Sequence, residues 1–220
     1  MLERFTWFRQ SALRWADDDL AIYIDPWGLD EGSRPADALF ITHAHIDHLL
    51  PDDIARVQTP ATKVFAPSDV AAGLTGDVTV VAPGEYLEVL GVHVQTVPAY
   101  NTAEERLGFH PKSNRWVGYI LSLEGRDYYH AGDTDHLPEL ESIASDVSFV
   151  PIGGYYTMDS TEAGGFIKAQ QPKLAVPIHF GFVEGVGDRE DAARFAAASA
   201  PVPVEVMSST NEQFGHLSPA

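Results

Sequence analysis

The sequence predicts an α/β protein in which two mixed sheets pack face to face with helices on the outside. Three observations carry this. Short apolar runs of strand length recur along the chain, and several are apolar throughout, as buried parallel strands are. Helix-start signals follow some of these runs directly. Each half of the chain also passes from strands alone to strands alternating with helices. At 220 residues this is a single domain, 1–220, with two halves of similar pattern at about 1–112 and 113–220.

The elements follow in order. Phe5 to Trp15 and Leu20 to Ile24 are β-prone runs, and Asp17-Asp18-Asp19 between them reads as the turn of a hairpin. Ala38-Leu39-Phe40-Ile41 is a buried strand, and Leu49 to Ala55 opens a helix. Lys63 to Ala66 is a strand, and Pro67-Ser68-Asp69 starts a small helix ending near Gly73. Val78 to Val81, Tyr86 to Val89 and Val92 to Val97 are strands separated by Pro83-Gly84 and Leu90-Gly91 turns. Trp116 to Leu123 and Arg126 to His130 pair through Glu124-Gly125. A short helix over Pro138 to Ile143 precedes a strand at Val147 to Pro151. Asp159 with Glu162 forms a capping box for the next helix. Leu174 to Ile178 is a strand, Asp188 to Ala198 a helix, and Val202 to Val206 a last strand.

The chain is organised around Thr42-His43-Ala44-His45-Ile46-Asp47-His48. It sits where a strand gives way to a helix, the place where open α/β sheets put their ligands. His43 and His45 are two apart and point to one side in extended backbone. Asp47 and His48 follow a change of direction and can face a second position. Imidazole and carboxylate ligands without thiolates suit zinc, manganese, iron or nickel. Two later strands end in the same manner. Tyr128-Tyr129 runs into His130-Ala131-Gly132-Asp133-Thr134-Asp135, where Asp133 can reach a metal and a carboxylate can bridge two. Val176-Pro177-Ile178 runs into His179-Phe180-Gly181. Asp25, His130 and Asp135 are candidate partners that orient ligands by hydrogen bonding. Tyr155 and Tyr156, after Gly153-Gly154, are candidate donors to a substrate oxyanion.

The His43-to-His48 run resembles the HxHxDH signature of the metallo-β-lactamase superfamily. The Asp25-Pro26 pair, the Ala131-to-Thr134 loop and Pro151-Ile152-Gly153-Gly154 resemble its ascorbate-6-phosphate lactonase-like branch. The resemblance implies a four-layer αββα sandwich with the site along one edge. It implies two metal positions, with Asp133 bridging and His179 joining Asp47, Asp133 and His48 at the second. It also implies a third histidine for the first position, after Val92 to Val97. Here that place reads Pro98-Ala99-Tyr100-Asn101, so either Asn101 or His110, from the long polar loop Thr102 to Arg115, completes the set.

Composition narrows the function. The formal charge is −18, with 14 Lys and Arg in no cluster, which argues against a nucleic-acid partner. No run approaches the roughly 18 apolar residues of a membrane span. The first residues carry no cleavable-leader pattern and there is no cysteine, so a cytoplasmic protein is expected. The oligomeric state, monomer or homo-oligomer, stays open. The expectation is a hydrolase holding one or two divalent ions, zinc first, with Asp47 and Asp133 at the chemistry. Its substrate is a small-molecule ester, lactone or phosphoester attacked by a metal-activated hydroxide. The alternatives are a metal-binding or ligand-sensing protein without turnover, which the Asn101 substitution would favour, and a nuclease.

Overall fold

Strands β3 (Ala21–Ile24) and β4 (Ala38–Phe40) are buried on both faces. Ile22, Ile24, Ala38 and Phe40 enter one apolar cluster, while Tyr23 and Leu39 enter another. This period of two places a sheet between two cores. The computed structural model describes residues 1–211. Within them, β1 (Phe5–Trp7), β2 (Leu13–Ala16), β3, β4, β5 (Lys63–Ala66) and β6 (Asp77–Val80) form the first sheet in sequence order. β1 to β3 are antiparallel, and β3 to β6 run parallel. The outer side of this sheet packs on α1 (Pro51–Val57) and α2 (Ser68–Ala71) through Ile54, Val57 and Val70.

The second sheet joins β7 (Tyr86–Val89), β8 (Val92–Pro98), β9 (Val117–Leu123), β10 (Arg126–His130), β11 (Val147–Pro151) and β12 (Leu174–Ile178) in consecutive order. β7 to β10 are antiparallel, and β10 to β12 parallel. Its inner residues Val94, Tyr119 and Leu121 meet Trp7, Phe40 and Phe65 of the first sheet. Phe40 and Tyr119 contact edge to face at 5.0 Å, a geometry that favours the ring quadrupoles. Outside β11 lie α3 (Ser160–Gln170) and α4 (Arg189–Ala198), each closed at its start by a capping box, from Asp159 and Asp188. The expected sandwich of two mixed sheets with helices outside is therefore observed. The sheets divide at 81–85, ahead of the 112/113 boundary between the sequence halves, because β7 and β8 join the second sheet.

Three elements differ from expectation. Phe5 to Trp15 is two strands, because Ala12 N–H donates to the Arg9 carbonyl and Gln10 takes φ 42°, folding Phe8 to Ala12 into a turn. The segment Pro138–Leu140 is one 3₁₀ turn rather than a helix through Ile143. Val202 to Val206 makes only a single parallel bridge, Val204 to Ala175. Pro201 and Pro203 lack the N–H groups that a longer ladder needs.

The parallel strands of both sheets bring their carboxyl ends to one edge. Asp25, Thr42 to His48, Asp133, Gly153 and His179 all follow directly from such ends.

Candidate metal centre

His43, His45, His110 and Asp133 each offer a ligand atom within 4.8 Å of the others, and so do Asp47, His48 and His179. Asp133 lies between the groups. Its Oδ2 is 3.1 Å from His179 Nε2, 3.2 Å from His110 Nε2 and 3.8 Å from His43 Nε2, and its Oδ1 is 3.4 Å from His48 Nε2. Asp47 Oδ2 is 3.3 Å from His179 Nε2 and 3.6 Å from His48 Nε2. His43 Nε2 and His45 Nδ1 are 3.1 Å apart.

The opposite ring nitrogens of His43, His48 and His110 are tied down, whereas His179 Nδ1 is buried without a hydrogen-bond partner among the described residues. His48 Nδ1 donates to Asp25 Oδ2 at 2.7 Å. Thr42 Oγ1 donates to the same carboxylate at 2.6 Å and accepts from His43 Nδ1 at 2.9 Å. His110 Nδ1 donates to Asn101 Oδ1 at 2.8 Å. Each bond puts a proton on Nδ1 and makes Nε2 the nitrogen aimed at the cluster, the one that would ligate a cation. Buried polar atoms normally find partners. Here His48 Nε2, His110 Nε2 and Asp133 Oδ1 are buried without a hydrogen-bond partner, in the middle of a ligand set. That donor set, imidazoles and carboxylates, fits a borderline divalent cation.

Local backbone supports the aim. His179 and Asp25 sit at φ 57° and 48°, a left-handed conformation that non-glycine residues hold only when their surroundings impose it. Gly132 takes φ 63°, and a Cβ there would stand 3.0 Å from the Val117 carbonyl and 3.2 Å from Thr42 Cβ. This lets the Asp133 loop close over β4. At Gly153 a Cβ would meet the His179 carbonyl at 2.7 Å and His179 Nδ1 at 2.9 Å. Gly153, the first of the glycine pair seen in the sequence, thus makes room for the His179 ring.

Charge is divided unevenly before any cation binds. Burial, reinforced by charge on His48, pushes the His43 imidazole well below its usual range, and burial lowers His45 as well. Burial acts the same way on His48 and His179, but the carboxylates outweigh it. Asp133, Asp47 and Asp25 hold His48 well above the usual range, and Asp133 with Asp47 raises His179 to about 9. Burial would raise Asp47, yet His48 and His179 bring it to about 2, and the same two imidazoles hold Asp133 well below the carboxylate range.

The other sequence candidates fall into place as follows. Asn101 does not present its oxygen to the cluster. Its Oδ1 accepts from both the His110 backbone N–H and ring, and its Nδ2 donates to Asp135 Oδ1 and the Tyr156 carbonyl. Asp135 grips the loop through the Thr102 and Ala103 N–H groups and lies 2.9 Å from Arg106 Nε, so it reaches His110 only through Asn101. His130 Nε2 donates to the Ser11 carbonyl and its Nδ1 accepts from Gly132 N–H, which braces the Asp133 loop. Tyr156 lines a cavity of 340 Å³ beside the cluster, together with His45, Asp47, Asp133 and His179. Tyr155 is exposed and meets Tyr156 edge to face and Phe109 at a tilt, at the rim. A larger depression of 1010 Å³, on the outer face of β7 to β9, contains none of the cluster residues.

Sequence reading missed three contributors. Gln10 lines the cavity, and its backbone carbonyl accepts from His179 N–H. Trp116 packs on His43 and His45 at 4.9 and 5.2 Å. Arg106 clamps Glu162 with two nitrogens and donates to the Thr157 carbonyl. None lies in a motif, and only their tertiary position marks them.

The fold is matched by known proteins. The β-lactamase superfamily domain model matches residues 4–179. The chain therefore belongs to the metallo-β-lactamase superfamily. Within it, the chain is a member of the UPF0173 metal-dependent hydrolase family. It is 29% identical to the Opitutus terrae member over 93% of this chain and 96% of that one. It is 32% identical to the Pyrococcus abyssi member over 68% of this chain and 69% of that one. The crystal structure of a metallo hydrolase from the archaeon Ignicoccus hospitalis superposes with TM-score 0.75 at 25% identity, covering 94% of this chain and 95% of that one. Among the described residues no helix is long and apolar enough to cross a membrane.

Proposed function

We propose that this chain hydrolyses an ester, lactone or phosphoester of a small molecule at a dinuclear centre, with His43, His45 and His110 at one position, Asp47, His48 and His179 at the other, and Asp133 between them. The observation that carries this reading is the set of buried, unpartnered atoms His48 Nε2, His110 Nε2 and Asp133 Oδ1 inside one cluster. Bound there, one or two divalent cations, zinc first and manganese, iron or nickel next, would supply Lewis acidity and lower the pKa of a water toward about 7.

The chain's own groups do the rest. Asp47, ionised at neutral pH, borders the cavity and can accept a proton as water adds to the acyl carbon or phosphorus. That proton returns to the leaving oxygen as its bond to the carbon or phosphorus breaks. Tyr156 is the candidate donor to the oxygen on which charge develops, and Tyr155 contacts substrate at the rim. Asp25, Thr42 and Asn101 hold three imidazoles in the tautomer the centre needs. The likeness to the ascorbate-6-phosphate lactonase-like branch supports lactones within this class. The absence of cysteine supports a cytoplasmic location.

Asn101 in place of a histidine is the motive for the alternative, a metal-binding or ligand-sensing protein without turnover. With His110 brought to the cluster by Asn101, that motive falls away. A panel of p-nitrophenyl esters, aliphatic lactones and phosphodiesters, assayed with metal-loaded protein, tests the reading. Hydrolysis of at least one class, lost in Asp47→Ala, Asp133→Ala and His179→Ala, is expected. Full activity and metal content in any of these variants would sink it.

A further inference from the structure

We propose that the substrate of this centre carries an alkyl or aryl group, free of hydroxyls, directly beside the bond that is cleaved, and that Ile46, Phe109, Val183 and Val186 receive it. This rests on the hydrolase reading above and names its substrate class.

The cavity of 340 Å³ has two kinds of wall. His45, Asp47, Asp133 and His179 make one, and all four are candidate ligands. With a divalent cation bound, that wall suits the oxygens at the reacting bond, acyl or phosphoryl, neutral or charged. Trp27, Ile46, Phe109, Val183 and Val186 make the other wall. These apolar residues lie close in sequence to the centre. Ile46 stands between His45 and Asp47, Phe109 precedes His110, and Trp27 is two residues after Asp25. Val183 and Val186 belong to a small loop after His179, in which Val186 N–H donates to the Val183 carbonyl at 3.0 Å. The apolar surface therefore begins at the ligands themselves and meets the part of the substrate next to the reacting atom.

This wall has no partner for a hydroxyl. Among the described residues no serine, threonine, asparagine, lysine or arginine lines the cavity, and Gln10 borders it with both amide atoms buried. A hydroxyl placed against the apolar wall loses water without gaining a hydrogen bond, which weakens binding by about tenfold or more. The rim carries the same chemistry outward. Ile46 is 66% exposed within the ligand run, and Tyr155, 61% exposed, contacts Phe109 with ring centroids 5.7 Å apart. Large apolar side chains left in water around a site mark a surface that receives an apolar ligand. The volume lies near the small end of the roughly 300–1,000 Å³ typical of small-molecule sites, so the group is a short chain or a single ring.

The test titrates acetohydroxamate and hexanohydroxamate, which share a head that ligates divalent cations, into zinc-loaded protein by calorimetry. Each buried methylene is worth roughly fourfold in affinity. The six-carbon compound is therefore expected to bind at least about tenfold tighter in the wild type. Val183→Thr keeps the shape of the wall and adds a hydroxyl, and Ile46→Thr shortens and polarises the rim. Each is expected to cut the preference about threefold or more, with metal content and melting recorded. Such a preference, reduced in the variants, would sustain the proposal even if no ester or lactone were cleaved. Equal or weaker binding of the longer chain by the wild type, or an undiminished preference in both variants, would overturn it. Hydrolysis supplies a second arm. γ-Octalactone and L-gulono-γ-lactone share a five-membered ring, one bearing a butyl chain and the other hydroxyls. The octalactone is expected to show a kcat/KM about tenfold or more higher. A preference for the hydroxylated lactone would overturn this proposal and leave the hydrolase reading standing.

Discussion

Asn101 Oδ1 lies 2.8 Å from His110 Nδ1 and also accepts the His110 backbone N–H at 3.1 Å. One carboxamide therefore fixes both the ring and the main chain of the residue proposed to complete the first metal position. Truncating such an orienting partner typically costs about 10–100-fold in metal affinity or activity. Asn101→Ala is expected to lose that much, measured as zinc affinity by chelator competition and as kcat/KM. Asn101→His is expected to give no gain, because it removes the acceptor that His110 needs. A gain would mean that the first position is incomplete as it stands.

Arg106 is the clamp behind this pair. It bridges Asp135 at 2.9 Å and Glu162 at 2.8 and 2.9 Å, tying the Thr102-to-Arg115 loop to the cap of α3. Breaking a buried ion pair from one side costs about 3–5 kcal/mol. Because Glu162 is partly exposed and screened, Arg106→Met is expected near the lower end of that range in urea unfolding. An unchanged midpoint would show that the loop is held by its other bonds.

Gly153→Ala isolates the second position. A Cβ there would meet Val186 Cγ1 at 2.6 Å and His179 Nδ1 at 2.9 Å. The ring must move, so one metal per chain is expected to be lost while the melting curve stays cooperative. Retention of full metal content would show that His179 tolerates the displacement.

Proton release gives the pH dependence. In the metal-free chain His179 titrates near 9 and His48 is also raised, so both carry protons at pH 7 that a metal must displace. His43 and His45, lowered by burial, are already neutral. Apparent affinity for the Asp47, His48, His179 position should therefore rise steeply with pH up to about 9, while the His43, His45 position gains little. Calorimetry in buffers of different ionisation enthalpy should detect proton release for one metal far more than for the other. Equal release for both would contradict this division of charge.

Much of this was legible in the sequence because its signals are local. A strand that ends in His-x-His-x-Asp-His, in His-Ala-Gly-Asp or in Pro-Ile-His declares both its element and its chemistry. The αββα layering followed from apolar runs whose neighbours could be read one at a time. What was not legible depends on contacts distant in sequence. Asn101 takes its meaning from Asp135, 34 residues on, as well as from His110. Gln10 sat inside an apolar run that looked continuous, and only its turn reveals it. Val202 to Val206 has strand propensity, but its prolines allow one bridge and no ladder.

Metal content per chain, measured by mass spectrometry on protein purified without a His tag or added metal, tests the proposed dinuclear centre most directly. Two metals in the wild type and one in His110→Ala are expected. No metal in the wild type, even after reconstitution with zinc, manganese and nickel, or two metals retained in His110→Ala, would contradict it.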